Sequence, residues 1–316
     1  MAKNPICELF GIEYPIVQGG MAWVSNAHIA AAVSQAGGLG VIAAGNAPAS
    51  WVAEQIDIVR TKTDKPFGVN VMLLSPFKDE VAKVVAEKKV PVVITGAGNP
   101  GEFLELWQAS GAKVVPVVAS SALAIRMERM GVDAVVAEGC EAGGHIGELT
   151  TMVLVPNIVD AVSVPVIAAG GIGDARSAAA AFCLGAKGIQ VGTRFILATE
   201  CDTHQAFKDK ILKAKDVDSK VTGRVTGHPV RLLRSPLTRE MAKAEYEPDA
   251  IEKLETLGEG SLRKAVLDGD IKEGSFMAGQ VACMLKQEQP AKEIIQDILD
   301  KKAIQSIFDS VKAVLG

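Results

Sequence analysis

Eight short runs of β-branched residues, each followed by a stretch of helical composition, constrain this chain more than any other feature. They are Tyr14–Gln18, Gly40–Ala43, Phe67–Val71, Pro91–Thr95, Lys113–Val118, Ala134–Glu138, Pro165–Ala169 and Gly188–Val191. Within each run the apolar residues are continuous, not alternating, the pattern of parallel strands covered on both faces. Amphipathic segments lie between them, among them Asn26–Ala36, Ala49–Thr61 and Ala122–Met130. Eight strand–helix units in succession predict a (β/α)₈ TIM barrel. A doubly wound open sheet usually needs fewer strands, although the runs alone are compatible with one.

The rhythm stops after Phe195. Charge and helix formers dominate from about Thr199 to Lys286, with breakers at Gly223, Gly227-His228-Pro229 and Pro236. The expected organisation is therefore a barrel over 1–198, a smaller and mainly helical lid at its mouth over 199–290, and a pair of C-terminal helices over 291–316.

Composition narrows the function. Aromatics are 4% of the 316 residues while glycines number 31, which suits closely packed elements joined by tight turns. A net charge of −4 offers no general attraction to nucleic acid or an anionic membrane. The N-terminus lacks the basic and apolar regions of a signal peptide, and no apolar run approaches the roughly 20 residues that span a bilayer. Cys7, Cys140, Cys183, Cys201 and Cys283 form no CxxC pair, and no histidines or carboxylates have metal-ligand spacing. A reducing cytoplasm and no metal are expected.

In such a barrel the chemistry sits at the C-terminal ends of the strands. The seventh and eighth runs lead into Gly170-Gly171 and Gly192-Thr193. Glycines there let backbone N–H groups approach a phosphate, whereas a plain βα turn would explain any one of them singly. Gly96-Ala-Gly-Asn-Pro-Gly101 imitates a dinucleotide fingerprint, but no acidic residue follows about 20 positions on, and that reading is rejected. Of the histidines, His145 lies between glycines in Ala142-Gly-Gly-His-Ile-Gly147, free to face a pocket as a hydrogen-bond donor near neutral pH. A loop histidine bonded to backbone is the plainer alternative. His28 reads as structural, His204 as a surface residue, and His228 as a lid residue able to reach the mouth.

Taken in order, Gln18-Gly-Gly-Met-Ala-Trp23, Pro66–Pro76, Glu138–Gly147, Ala168–Ile172, Gln190–Phe195 and Ser275–Gln280 resemble the FMN-dependent enoyl-acyl-carrier-protein reductases of the FabK type. Nitronate monooxygenases are close cousins with the same fold. The resemblance implies flavin contacts at Met21, Ala22, Asn70, Gly143, Gly171, Gln190, Val191, Gly192 and Thr193, with Gly170 and Glu138 in the same cofactor set. Glu138 stands where nitronate oxidisers have glutamine, which favours the reductase. It further implies NADH or NADPH as co-substrate, acyl carrier protein as partner, a homodimer and an activating monovalent cation. His145 would hydrogen-bond the thioester carbonyl or supply a proton, and Met277, Ala278 and His228 would meet the substrate. Two other readings remain, oxidation of alkyl nitronates with O₂ and a non-catalytic FMN- or phosphate-sensing barrel.

Acyl carrier protein is acidic, so a basic docking surface is expected. Between Lys208 and Arg239 nine basic residues face three acidic ones, nine minus three leaving a surplus of six within a chain of net −4. A solvated helix face would look the same.

Overall fold

A computed structural model describes residues 4–315. Its main sheet has eight parallel strands: β1 (Ile16–Gln18), β2 (Gly40–Ala43), β3 (Phe67–Met72), β4 (Val92–Gly96), β5 (Lys113–Val118), β6 (Val135–Glu138), β8 (Val166–Ala169) and β9 (Gly188–Val191). A two-residue strand, β7 (Gly144–His145), lies outside that sheet. The strand order β1-β9-β8-β6-β5-β4-β3-β2 wraps round, and a parallel bridge from Val17 to Leu39 closes it. At this seam the Gln18 side chain accepts a hydrogen bond from the Val41 N–H at 3.0 Å, standing in for a ladder bond.

The first helix, α1 (Pro5–Phe10), precedes the barrel, and its Asn4 side chain accepts from the N–H groups of Ile6 and Cys7. Ile6, Phe10 and Ile12 pack with the inward-facing Val17, Val41, Ile94, Val136 and Ile167, so α1 plugs the N-terminal end of the barrel. The helices between strands are α2 (Ala27–Gln35), α3 (Ala49–Lys62), α4 (Lys78–Glu87), α5 (Gly101–Ala109), α6 (Ser121–Arg129), α7 (Thr151–Ala161) and α8 (Ala175–Cys183). The outward-facing residues, among them Val69, Val71, Val93, Ile189 and Val191, share one large core with these helices. Alternate strand residues thus fill two separate cores, and both stay apolar. This is why the runs are continuous in sequence.

Beyond β9 come α9 (Thr193–Ile196), α10 (Gln205–Leu212), β10 (Ser219–Thr222), β11 (Val230–Leu233), α11 (Pro236–Ala244), α12 (Ala250–Gly258) and α13 (Ser261–Arg263). The chain ends in α14 (Ala291–Ile298), packed on α2, α8 and α9, and α15 (Lys301–Leu315), packed on α8. The lid carries more strand than its composition suggests: β10 and β11 pair antiparallel, and β11 also pairs with β7. The reversal between them uses Gly223 and Gly227, both with positive φ, so these breakers are a hairpin connection, whereas Pro236 opens α11.

Candidate active site

Three polar side chains break the apolar lining of the barrel at its C-terminal end: Asn70 on β3, Glu138 on β6 and Gln190 on β9. Their direction follows from the pleat, since Val69, Val71, Ile189 and Val191 belong to the outer core and Val136 to the inner one. Register aligns the last two. Glu138 lies opposite Ala169, and Ala169 opposite Gln190. The Gln190 Oε1 is buried without a hydrogen-bond partner, a state that costs about 1–3 kcal/mol unless a ligand donor meets it. Burial alone pushes the Glu138 carboxyl up to about 7, with no charge or hydrogen bond opposing it.

The loop after β1 closes over this row. The Met21 N–H donates to Ser25 Oγ at 2.9 Å, and the Ser25 N–H donates to the Met21 carbonyl at 2.8 Å, so Met21 and Ala22 sit in a pinned turn. A β-carbon on Gly20 would fall 2.4 Å from Asn70 Cβ, and one on Gly192 would face Met21 Sδ at 3.5 Å. The β1, β3 and β9 ends are therefore contiguous. Trp23 follows in a left-handed conformation (φ 65°), with the Arg263 guanidinium 5.8 Å from its ring centre. This contact ties the lid to the mouth.

The loop after β6 reaches further. Gly143 packs against the lid backbone so closely that a β-carbon would lie 2.6 Å from the Ala278 carbonyl carbon. Met277 Sδ lies 3.8 Å from the corresponding position on Gly144. The Gly279 N–H donates to Thr193 Oγ1 at 2.9 Å, joining this wall to the loop after β9. His145 pairs through its backbone with Val230 of β11, and the Ile146 N–H donates to the Pro229 carbonyl at 3.0 Å. The His145 ring keeps solvent-exposed surface. Even so, the protein around it penalises the charged form and lowers its pKa, and the nearby His228 adds repulsion.

Two residues that the sequence did not single out hold these loops in place. The Glu141 carboxylate accepts from the Thr151 N–H at 2.9 and 3.0 Å, capping α7 from ten residues upstream. Thr151 Oγ1 lies 3.0 Å from Glu141 Oε2 and from the Gly170 carbonyl. The Glu141 carbonyl accepts from the Gln280 N–H at 2.9 Å. The loops after β6 and β8 and the Met277–Gln280 wall thus meet at the Glu141–Thr151 pair. Its only trace in the sequence is a Thr150-Thr151 pair opening a helix.

The other histidines lie elsewhere. His28 Nδ1 is 2.6 Å from Asp202 Oδ2, and His204 caps α10. All five cysteines are free. Among the described residues no cluster of three or more His, Cys, Asp or Glu is arranged to hold a metal, and no helix is long and apolar enough to cross a membrane. A surface concavity of about 660 Å³ along α15 is lined by residues such as Lys301, Gln305 and Asp309 and is remote from the barrel mouth. The polar row and the glycine loops mark the site instead.

The family model for nitronate monooxygenase matches residues 3–84 and 75–301. The chain belongs to the nitronate monooxygenase family. Membership implies an oxidoreductase that works with a flavin, and the site fits such a group, with an unpartnered amide oxygen at Gln190 and glycine backbone at Gly171 and Gly192. Within the family, the structure of FabK from Thermotoga maritima is 48% identical, covers 99% of this chain and 100% of its own, and superposes with a TM-score of 0.95. A Mycobacterium tuberculosis protein named (3aS,4S,5R,7aS)-5-hydroxy-7a-methyl-1-oxo-octahydro-1H-indene-4-carboxyl-CoA dehydrogenase is 31% identical over 94% of this chain and 95% of its own. A Staphylococcus aureus protein named probable nitronate monooxygenase is 33% identical over 95% of this chain and 97% of its own.

Proposed function

We propose that this family member is an FMN-dependent enoyl-acyl-carrier-protein reductase that draws hydride from NADH or NADPH. The observation that carries the reading is His145, held beside the Met277–Ala278 wall on a strand shared by the barrel loop and the lid. With its pKa lowered, the imidazole is neutral at physiological pH and donates one N–H without bringing a positive charge. Likeness to a FabK over the whole chain supports the reading, as does a relative named for a CoA thioester.

A bound flavin would supply hydride chemistry between the nicotinamide and the β-carbon of the enoyl group, the reduction being completed by a proton at the α-carbon. The chain's own residues bind and orient. Gly171, Gly192 and Thr193 would receive the phosphate on backbone N–H groups, with Gly170 setting the turn. Met21, Ala22, Asn70, Gly143 and Gln190 would line the ring system, and Val191, whose side chain packs in the outer core, would offer its backbone alone. His145 donates to the thioester oxygen as negative charge builds there. Met277 and Ala278 would pack on the acyl chain, and exposed His228 would meet the carrier end of the substrate. The same reading carries a homodimer and activation by a monovalent cation.

The purified protein is expected to be yellow, to release FMN and not FAD on heating, and to oxidise NAD(P)H in the presence of crotonyl thioester without oxygen. A chromophore running as FAD, or a colourless protein that ignores added FMN, would overturn the cofactor. Oxygen-dependent turnover of alkyl nitronates without thioester reduction would establish the second reading, which the S. aureus relative's name favours and Glu138 disfavours.

The carrier-docking surface is narrower than the charge count suggests. Lys208 is buried, donating to the Ala198 carbonyl at 3.0 Å, and Arg231 is buried on Cys140 and Ser219. Lys210 is half-buried over the Phe276 ring. Lys213, Lys215, Lys220, Arg224, Arg234 and Arg239 remain exposed. Reversing Lys215, Lys220 and Arg239 together should raise KM for the carrier-borne substrate several-fold and leave KM for a small thioester unchanged. Equal changes on both substrates would refute docking here.

A further inference from the structure

We propose that Glu138 binds the flavin as a neutral carboxylic acid, a hydrogen-bond donor paired with the acceptor Gln190, so that flavin binding is linked to a proton. The inference rests on the flavin reading and adds to it the protonation state of one residue. Glu138 ends β6 on the inward face, in register with Ala169 and, beyond it, Gln190. Its flanking strands set no charge against it. The Ala137 partner on β5 is Val118, and the residue opposite Glu138 on β8 is Ala169. Across the mouth stands Asn70, also neutral. The titratable groups of the following loop are Cys140, Glu141, His145 and Glu148. The Glu141 carboxylate is taken up by Thr151, Glu148 by Arg224, and the Arg231 cation of β11 is held on the Cys140 carbonyl.

A carboxylate placed there has no cation and no donor to stabilise its charge, so burial favours the protonated form. A protonated carboxyl donates, whereas the buried Gln190 Oε1 can only accept. A ligand edge carrying both carbonyl oxygens and an N–H, as a flavin's does, meets one partner of each kind. Proton release from Glu138 removes the donor and leaves a bare charge against the cofactor's oxygens.

The sign follows from linkage. The neutral form dominates below about 7 and binds FMN fully, so affinity is constant at low pH and falls as pH rises through that value. The test is FMN affinity by fluorescence quenching from pH 5.5 to 9, on the wild type and on Glu138→Gln, which keeps the shape and cannot titrate. The wild-type Kd should rise above pH 7, approaching tenfold per unit, and the Glu138→Gln Kd should stay level. A second readout needs no flavin. The FMN-free wild type should lose melting temperature relative to Glu138→Gln between pH 5 and 8, because an acid whose folded pKa is raised destabilises the fold as it ionises. A wild-type Kd that is level with pH, a matching slope in Glu138→Gln, or a constant melting difference overturns the proposal while leaving the flavin reading intact. Absence of FMN binding at every pH overturns both, and the colourless protein makes that case distinct.

Discussion

His145→Ala is expected to keep its FMN and its reduction by NAD(P)H, yet to pass hydride to crotonyl thioester about a hundred- to thousandfold more slowly. Removing one donor aimed at a developing oxyanion typically costs about 2.7–4 kcal/mol of transition-state stabilisation. The substitution is clean because β7 is held to β11 by backbone hydrogen bonds at His145 and Gly144, which alanine retains. The ring itself is exposed and leaves no cavity. Stopped-flow absorbance separates the two half-reactions, and only the second should slow. Reoxidation at the wild-type rate would reduce His145 to a loop histidine.

Gly192→Ala should weaken FMN binding about ten- to hundredfold while leaving the melting temperature of the flavin-free protein unchanged. At φ −104° the backbone of Gly192 suits any residue, and the added carbon meets only Met21 Sδ at 3.5 Å, an ordinary contact. The empty fold therefore tolerates the methyl, but an anion drawn against the backbone does not, at a cost of about 1–3 kcal/mol. Gly171 is a poorer choice, because its φ of 71° strains any side chain and would mix backbone energy with lost affinity. Titration with FMN and calorimetric melting decide the matter. Unchanged affinity in Gly192→Ala would remove the phosphate from this loop.

The barrel was legible because each strand is buried on both faces, leaving Val114-Val115 or Ile167-Ala168 no polar interruption to blur the pattern. The inward row was half legible. Asn70, Glu138 and Gln190 stand out as polar residues in apolar runs, but the register that aligns Glu138 with Gln190 through Ala169 belongs to the folded sheet. The lid was least legible. Gly144–His145 is too short to carry a strand pattern, and its partner Val230 lies in a distant segment. Lys208 and Arg231 looked like surface charges because the groups that bury them, the Ala198 carbonyl from the preceding loop and the distant Glu288 and Cys140 carbonyl, meet them only in the folded chain.

The pairing of β7 with the lid hairpin has a mechanical consequence. The barrel is a continuous girdle in which every strand is braced by two others, while His145 is seated on a two-residue graft secured from one side. Short pairings of this kind open locally at little cost, long before the surrounding core yields. The rigidity that gives this molecule its shape is thus not inherited by His145, whose alignment is lent to it by the lid.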